Sequence, residues 1–272
     1  MAVSVKNLQS FSQADFEQPL SAPFLGGEAM FFTARAPDKT TPNEDCLALI
    51  PFDADSGVLI VADGLGGLPA GSTASQLAID TMAQVLEEAA STAIPLRDAI
   101  LNGIEQANQA ILAQASGMAT TLAVVEIQGQ TVRHYHVGDA MIMVTGQRGK
   151  VKAYTVSHSP VGYAVEAGML DEDEAVHHEE RHIVSNVVGA TDMHMSIGTT
   201  LHMATRDTLL LASDGLFDNL YREEIVELIR KGPLARAATQ LVAQSHDRMQ
   251  HPQPGLPSHA DDLSFILFRL NS

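Results

Sequence analysis

The sequence lacks several features that mark particular classes of protein. Its single cysteine, Cys46, cannot form an intrachain disulfide, which fits a reducing compartment. No apolar run approaches the roughly 18 residues needed to cross a bilayer. Residues 1–27 contain no apolar stretch long enough for a signal-peptide core. Together these absences predict a soluble, cytoplasmic protein without a membrane partner.

Basic residues are also scarce. The 272 residues include 16 Lys and Arg against 33 Asp and Glu, which gives a formal net charge of -17. Such a field repels phosphate backbones, so we expect no nucleic-acid partner. The acidic excess has two interpretations: it keeps the surface soluble, or some of the carboxylates converge to hold divalent cations. The positions of the carboxylates must decide between them.

Short β-like runs recur from about residue 28 onward. Many follow one another directly, which favours antiparallel sheets over alternating βα units. Residues 1–27 are polar and weakly periodic, so we interpret them as an N-terminal extension that packs on a neighbour or stays mobile, before one domain over 28–272. The predicted strands are 29–35, 46–50, 57–62, 120–127, 131–137, 140–144, 151–156, 208–212 and 263–270.

Two predicted helices separate the third and fourth of these strands. The first opens at Ser72, a residue type favoured at the N-cap, and the second begins near Pro95. Each carries a narrow apolar stripe at helical spacing, which suits a helix lying on one face of a sheet. Further helical segments are predicted around 171–177, 223–231 and 234–246.

Acidic residues sit at the ends of the predicted strands. Burying several carboxylates at one rim of a sheet is unfavourable without cations, because like charges raise one another's pKa. An all-oxygen set without clustered Cys or His points to Mg²⁺ or Mn²⁺ rather than zinc. The residues concerned are Glu44, Asp45, Asp63, Asp139, Asp214, Asp261 and Asp262.

A simpler interpretation competes for each of these residues taken singly. An Asp-Gly pair after a strand, as at Asp63-Gly64, is most often only a turn. The conjunction of several separated acidic sites, each beside an apolar run, favours a shared metal site. Gly64 would let its backbone carbonyl approach a metal, since it has no side chain.

Seven ordered motifs make the sequence resemble the metal-dependent phosphatases of the protein phosphatase 2C family, along roughly residues 28–270. The resemblance implies an α+β fold, a four-layer α/β/β/α sandwich whose two central antiparallel sheets are flanked by helices. The motifs are PNEDC (42–46), VADGLGG (61–67), GMATTL (117–122), HVGDA (136–140), SHSPV (157–161), ASDGLFD (212–218) and ADDLSF (260–265).

The resemblance also implies a site and a reaction. Two Mn²⁺ or Mg²⁺ ions would activate a water that hydrolyses phosphoserine or phosphothreonine, and a third ion could bind near Asp139. Asp63 would bridge the two ions, and residues 158–191 would form a flap that shapes substrate access. The implied metal ligands are Glu44, Asp45, Asp63, Gly64, Asp139, Asp214 and Asp261.

The chain departs from the family pattern at several positions. The usual phosphate-binding Arg before the acidic pair is missing, so we expect Lys39 to take that role, together with Arg35. Leu65 stands where many eukaryotic members have a His that acts as an acid, so water must serve instead. Ser157-His158 and Met141 replace an Asp-His pair and an Arg, which affects the flap and the third metal rather than the pair of ions.

Two other interpretations compete with this one. Residues 178–182 read HEERH, a literal HExxH zinc-protease match, but the charged neighbours indicate a solvated segment rather than an amphipathic helix. A catalytically weak or silent relative that binds a phosphoprotein or a kinase is the alternative function. The retained Asp63, Asp214 and Asp261 favour the active enzyme, whose partners would be a phosphoprotein substrate and a cognate Ser/Thr kinase.

Overall fold

The computed structural model describes residues 8–65 and 70–271, in which the strands pair into two antiparallel sheets. The first sheet has the path β1-β4-β5-β7-β8-β11, with β6 paired to β5 and β12 to β8. Its strands are β1 (Gln9–Ser12), β4 (Asp45–Pro51), β5 (Ser56–Leu65), β6 (Ala119–Thr120), β7 (Leu122–Gln128), β8 (Thr131–Val137), β11 (Ser196–Ile197) and β12 (Leu201–His202).

The second sheet has the path β10-β9-β13-β14-β3-β2. Its longest pairing joins β3 and β14 over eight residue pairs, from Leu263 opposite Ala34 to Leu270 opposite Gly27. Its strands are β2 (Leu20–Phe24), β3 (Gly27–Ala34), β9 (Met141–Thr145), β10 (Val151–Tyr154), β13 (Thr208–Ala212) and β14 (Leu263–Leu270).

Helices cover both outer faces of the stacked sheets. In the described residues they are α1 (Ala70–Thr92), α2 (Leu96–Leu112), α3 (Pro160–Glu166), α4 (Glu172–Ala175), α5 (Asp214–Phe217), α6 (Arg222–Ile229) and α7 (Leu234–Gln250). None of them combines the length and the apolar character that a bilayer span requires.

Three apolar cores hold these layers together. The first lies between α1 and α2 and the first sheet, and includes Ile60 and Met82. The second lies between the two sheets, where Leu59 and Phe268 are buried. The third packs α6 and α7 on the second sheet around Phe265. Burial of apolar surface in each core stabilises the fold by about 25 cal/mol per Å² removed from water. The predicted α/β/β/α sandwich is therefore confirmed.

Several local predictions need correction or refinement. Ser72 is not the N-cap of the first helix, because α1 already includes Ala70 and Ser72 is buried within its first turn. Residues 9–12 and 20–24 of the predicted extension form the edge strands β1 and β2, so both sheets include residues that precede residue 28. The boundary itself, as a division between domains, stays a prediction. The HEERH segment is not helical, and its side chains are exposed except for that of Arg181, which is partly buried. This agrees with the interpretation of HEERH as a solvated segment.

Candidate functional site

The acidic strand ends meet at one edge of the sandwich. Asp45, at the start of β4, is the register partner of Asp63, near the end of β5. Ser213, which directly follows β13 of the second sheet, donates its hydroxyl to Asp45 Oδ2 at 2.8 Å. The two sheets are therefore joined at this edge by a buried hydrogen bond, and carboxylates that are far apart in sequence share one region.

The backbone around Asp63 is held by the two threonines of the GMATTL motif. Thr120 donates its hydroxyl to the Asp63 carbonyl oxygen at 2.8 Å, and the Thr121 amide donates to the same oxygen at 2.8 Å. The Gly64 amide donates to the Glu44 carbonyl oxygen at 3.2 Å. These bonds fix the direction in which the Asp63 carboxylate leaves the strand.

The glycine of each Asp-Gly pair is required because another backbone segment lies against it. A Cβ atom at Gly64 would overlap the carbonyl oxygen of Gly71 in α1, and a Cβ atom at Gly215 would overlap the carbonyl oxygen of Asp262. Any larger residue would push these segments apart. Residues 66–69, which include the last two glycines of VADGLGG, lie outside the described residues.

Burial and mutual repulsion perturb the carboxylates of this edge. Burial, and then the Asp262 charge, raise the pKa of Asp45 to about 7, although hydrogen bonds from Ser264 and Ser213 oppose the shift. The pKa of Asp63 is raised well above its ordinary value by burial and by the charge of Asp214. The desolvation and the like charges both favour the neutral acid.

A second acidic group adjoins the first. Burial, and then the Asp218 charge, raise the pKa of Asp139 to about 7. Burial, and then the Asp261 and Asp139 charges, raise the pKa of Asp214 well above its ordinary value. Asp218, which the sequence interpretation missed as a possible site residue, also has a raised pKa through burial, although Arg181 opposes the shift. These carboxylates act on one another as one site.

Among the described residues, two carboxylate oxygens at this edge are buried without a hydrogen-bond partner, Glu44 Oε1 and Asp139 Oδ1. A third, Asp218 Oδ2, accepts no hydrogen bond there and forms only the ion pair with Arg181 at 3.3 Å. In the described residues, no three acidic, His or Cys side chains are already arranged as the ligands of one ion. The chemistry of the donors nevertheless fits hard divalent cations, because such ions accept carboxylate oxygens and would relieve the repulsion that raises these pKa values.

The two candidate phosphate-binding cations are already engaged by acidic side chains. Lys39 Nζ lies 2.6 Å from Asp262 Oδ2 and 2.9 Å from Glu44 Oε2. Burial opposes its charge, but the hydrogen bonds to Asp262 and Glu44 outweigh burial and raise the pKa of Lys39. Arg35 pairs with Asp15 at 2.8 Å. Their role towards phosphate stays a prediction.

Asp261 and Asp262 have different environments, which their adjacency in sequence does not reveal. Asp261 is partly exposed, accepts the Asp262 amide at 2.8 Å and acts electrostatically on Asp63. Asp262 is buried and accepts the amides of Ala36 at 2.9 Å and Glu44 at 2.8 Å. Asp261 remains the better candidate metal ligand, and Asp262 organises the segment that carries Glu44.

The start of the predicted flap is bonded to the segment before Asp139. The His158 amide donates to the Gly138 carbonyl oxygen at 2.9 Å, and the Gly138 amide donates to His158 Nδ1 at 3.1 Å. Ser159 caps α3 by accepting the Gly162 amide at 2.9 Å. Further along the flap, Arg181 lies 3.3 Å from Asp218. The chain of the flap is therefore tied to the acidic edge at two places.

A cavity of about 320 Å³ opens between the flap and the acidic edge. Asp139, Asp214 and Asp218 line one part of it, and apolar side chains that include Met141 and Phe217 line another. Leu65 is part of β5, opposite Ala119 of β6, and does not line this cavity. The predicted flap and the acidic edge therefore share one cavity.

Comparisons with known proteins agree on one family. The chain matches the family model described as protein phosphatase 2C over residues 35–256. It is 31% identical over 212 residues to protein phosphatase PhpP of Streptococcus pneumoniae, which covers 75% of this chain and 85% of that protein. The serine/threonine phosphatase of S. agalactiae has 26% identity and a TM-score of 0.77, covering 90% of this chain and 100% of that chain.

A further solved structure is similar in fold. It is the catalytic domain of the serine/threonine protein phosphatase PstP in complex with two manganese ions, at 23% identity and a TM-score of 0.70. The similarity covers 90% of this chain and 98% of that chain.

Proposed function

The chain belongs to the protein phosphatase 2C family, and from that membership we propose that it hydrolyses phosphoserine and phosphothreonine in proteins with the help of divalent metal ions. Relatives that match most of the chain are named protein serine/threonine phosphatases. The observation that carries the proposal is the convergence of Asp45, Asp63, Asp139 and Asp214, whose raised pKa values divalent cations would offset. A phosphoprotein substrate in the cytoplasm and an opposing Ser/Thr kinase belong to the same proposal.

The proposed cofactor is a pair of Mn²⁺ or Mg²⁺ ions, with Asp139 available to a third. Two such ions, when bound, supply Lewis acidity that activates water for in-line attack on phosphorus and offsets the charge of the phosphoryl oxygens. The residues that would hold them are Glu44, Asp45, Asp63, the Gly64 carbonyl, Asp139, Asp214 and Asp261.

The chain's own residues prepare this site before any substrate arrives. The Ser213 hydroxyl orients Asp45, and Thr120 with the Thr121 amide fixes the backbone of Asp63. Such preorganisation matters because a small displacement of a reacting group costs much of the rate. Leu65 cannot donate a proton, and in this proposal water protonates the leaving alkoxide instead.

We also propose that residues 158–191 act as the flap of a phosphatase domain over residues 28–272. The cavity of about 320 Å³ supports this, because the flap and the acidic edge both line it. Its apolar lining would contact the residues that flank a phosphorylated side chain, and its acidic part would face the phosphoryl group once cations are bound.

One observation favours the alternative of a catalytically weak or silent module. Lys39 is paired with Glu44 and Asp262, and Arg35 with Asp15, so neither is a free cation for substrate phosphate. A module that binds a phosphoprotein or a kinase without hydrolysing it would not need a free cation for turnover. The preserved acidic convergence nevertheless supports the enzyme.

Hydrolysis of a chromogenic phosphate ester tests the proposal. We expect turnover with Mn²⁺, none with chelator, and a loss of about 100-fold or more in kcat for Asp63→Asn. Asp98→Asn, on the exposed face of α2, is the matched control and should keep full activity. Far-ultraviolet circular dichroism verifies that each variant folds.

Absence of Mn²⁺-dependent turnover in the folded wild type would reject catalysis and leave the silent module. Full activity in Asp63→Asn would reject the assigned bridging role instead. Binding of a phosphopeptide without turnover, measured by calorimetry, would give positive support to the silent module.

A further inference from the structure

A cationic cavity lies at the far end of the second sheet. Its volume is about 260 Å³, and its lining includes Arg206, Arg230, Lys231 and Arg269. Four of the chain's 16 basic residues therefore surround one cavity, in a protein whose net charge is -17. The acidic residue in the lining is Glu28, so the cavity carries a net positive charge.

Arg269 gives this cavity a fixed, half-buried cation. Its Nη1 donates to the Gly232 carbonyl oxygen at 2.6 Å, and its Nη2 donates to Thr208 Oγ1 at 2.7 Å and to the Ile229 carbonyl oxygen at 2.9 Å. Burial lowers the pKa of Arg269 from its ordinary value, and Glu28 opposes the shift. All of these hydrogen-bond acceptors are neutral.

The other cations are held beside it. Arg230 donates to the Gln147 carbonyl oxygen at 3.1 Å, and Arg206 donates to the Gln147 side-chain oxygen at 3.3 Å. Arg230 also pairs with the exposed Glu227 at 2.8 Å. Within the described part of the chain, no carboxylate lies in ion-pair distance of Arg206, Lys231 or Arg269. Three cations of the cavity thus form no ion pair with a described residue, although Glu28 stands opposite Arg269 in the β3–β14 pairing.

We propose that this cavity is a second binding site, which takes a phosphate-bearing ligand. Several cations around one cavity favour a dianion over a single carboxylate, and guanidinium groups match the oxygens of phosphate in geometry. A half-buried arginine that forms no close ion pair gains from an anion that replaces the lost water. The phosphate could be inorganic phosphate or a phosphorylated side chain of a protein.

The cavity is separate from the acidic edge. Asp262 immediately precedes β14, whereas Arg269 stands near the end of that strand. At about 3.3 Å per residue, seven residues place the two positions roughly 23 Å apart along the strand. A ligand here cannot touch the carboxylates of the proposed catalytic site, so the inference does not depend on the proposed hydrolysis.

Nuclear magnetic resonance of the full chain labelled with ¹⁵N, in Mg²⁺ buffer, tests the proposal. Inorganic phosphate is titrated while the amide signal of Gly232 reports on the cavity and that of Gly64 on the acidic edge. We expect saturable shifts at Gly232, and roughly tenfold weaker affinity there in Arg206→Ala/Lys231→Ala. Arg97→Ala/Arg236→Ala removes the same charge at exposed positions and should keep the wild-type affinity at Gly232.

A second arm distinguishes the two sources of phosphate. It uses a serine peptide and its counterpart with a phosphonate that resists hydrolysis. Tighter binding of the phosphonate peptide than of inorganic phosphate at Gly232 would identify a protein-borne ligand, and the reverse order would identify the free ion. Absent shifts at Gly232, or equal affinity in the two double variants, would overturn the site. Asp63→Asn should leave the Gly232 titration intact even if it abolishes ester hydrolysis.

Discussion

At the scale of single residues, Asp45 and Asp139 carry a cost that depends on pH. Each has a folded-state pKa of about 7, above the ordinary value of 3.8. A group with a raised folded-state pKa contributes stability that is full below its unfolded pKa and is lost as pH rises through the folded value. The metal-free protein should therefore lose stability between about pH 4 and about pH 7.

Chemical denaturation with chelator checks this at about pH 5 and about pH 8. We expect a free energy of unfolding lower at the higher pH by on the order of a few kcal/mol, and its recovery when Mg²⁺ is added. Asp139→Asn should reduce the pH dependence, whereas Asp98→Asn should not. A metal-free protein that is equally stable at both pH values would refute this account of the acidic edge.

Substitution of Lys39 tests whether its charge stabilises the fold, binds the substrate phosphate, or does both. The sequence predicts that Lys39→Ala raises the KM for a phosphopeptide. Its pairing with buried Asp262 predicts a second effect, a fall of about 2–3 kcal/mol in the free energy of unfolding, because a buried carboxylate loses its counter-ion.

Steady-state kinetics and denaturation of the same variant separate the two roles. Lys39→Arg keeps the charge and should retain most of the stability. An unchanged KM would reject the phosphate-binding role, and an unchanged free energy of unfolding would reject the structural one.

At the scale of elements, the short helix α5 depends on its contact with the segment before β14. Gly215→Ala would place a Cβ against the Asp262 carbonyl oxygen, so the two segments must separate. We expect a loss of about 2 kcal/mol or more in stability and a large fall in kcat, because Asp214 and Asp261 move apart. In Gly146→Ala the nearest atom to the new Cβ is at 3.4 Å, so this control should be tolerated.

Periodicity and local residue types predicted most elements but not the contacts between them. Strand β8 and strand β14 begin and end where the predicted β-like runs do. The prediction of Ser72 as an N-cap was wrong because α1 already includes Ala70, two residues before the position that local capping preference suggests. The roles of Asp218 and Asp262 could not be predicted, since they arise from pairing with Arg181 and Lys39 in distant segments.

At the scale of the whole molecule, each of the two sheets ends in an edge strand that precedes the family motifs in sequence. β2 pairs with β3 along one edge of the second sheet, and β1 pairs with β4 at an edge of the first. Ala22 and Phe24 of β2 are buried in the core between the sheets. Phe24 packs edge-on against Phe268, with ring centroids 6.2 Å apart. The segment before residue 28 thus contributes both backbone pairing and apolar burial.

Truncation distinguishes a separable extension from a part of the sandwich. Removal of residues 1–26 should lower the free energy of unfolding by several kcal/mol, on the order of 3–5, because it deletes the buried Phe24 ring and leaves the edges of β3 and β4 unpaired. Removal of residues 1–7 alone is the control and leaves β1 and β2 in place. If the longer truncation unfolds at the same denaturant concentration as the full chain, then residue 28 is a true domain boundary and the edge strands add nothing to stability. If only the longer truncation is destabilised, the sandwich must be taken to begin at β1.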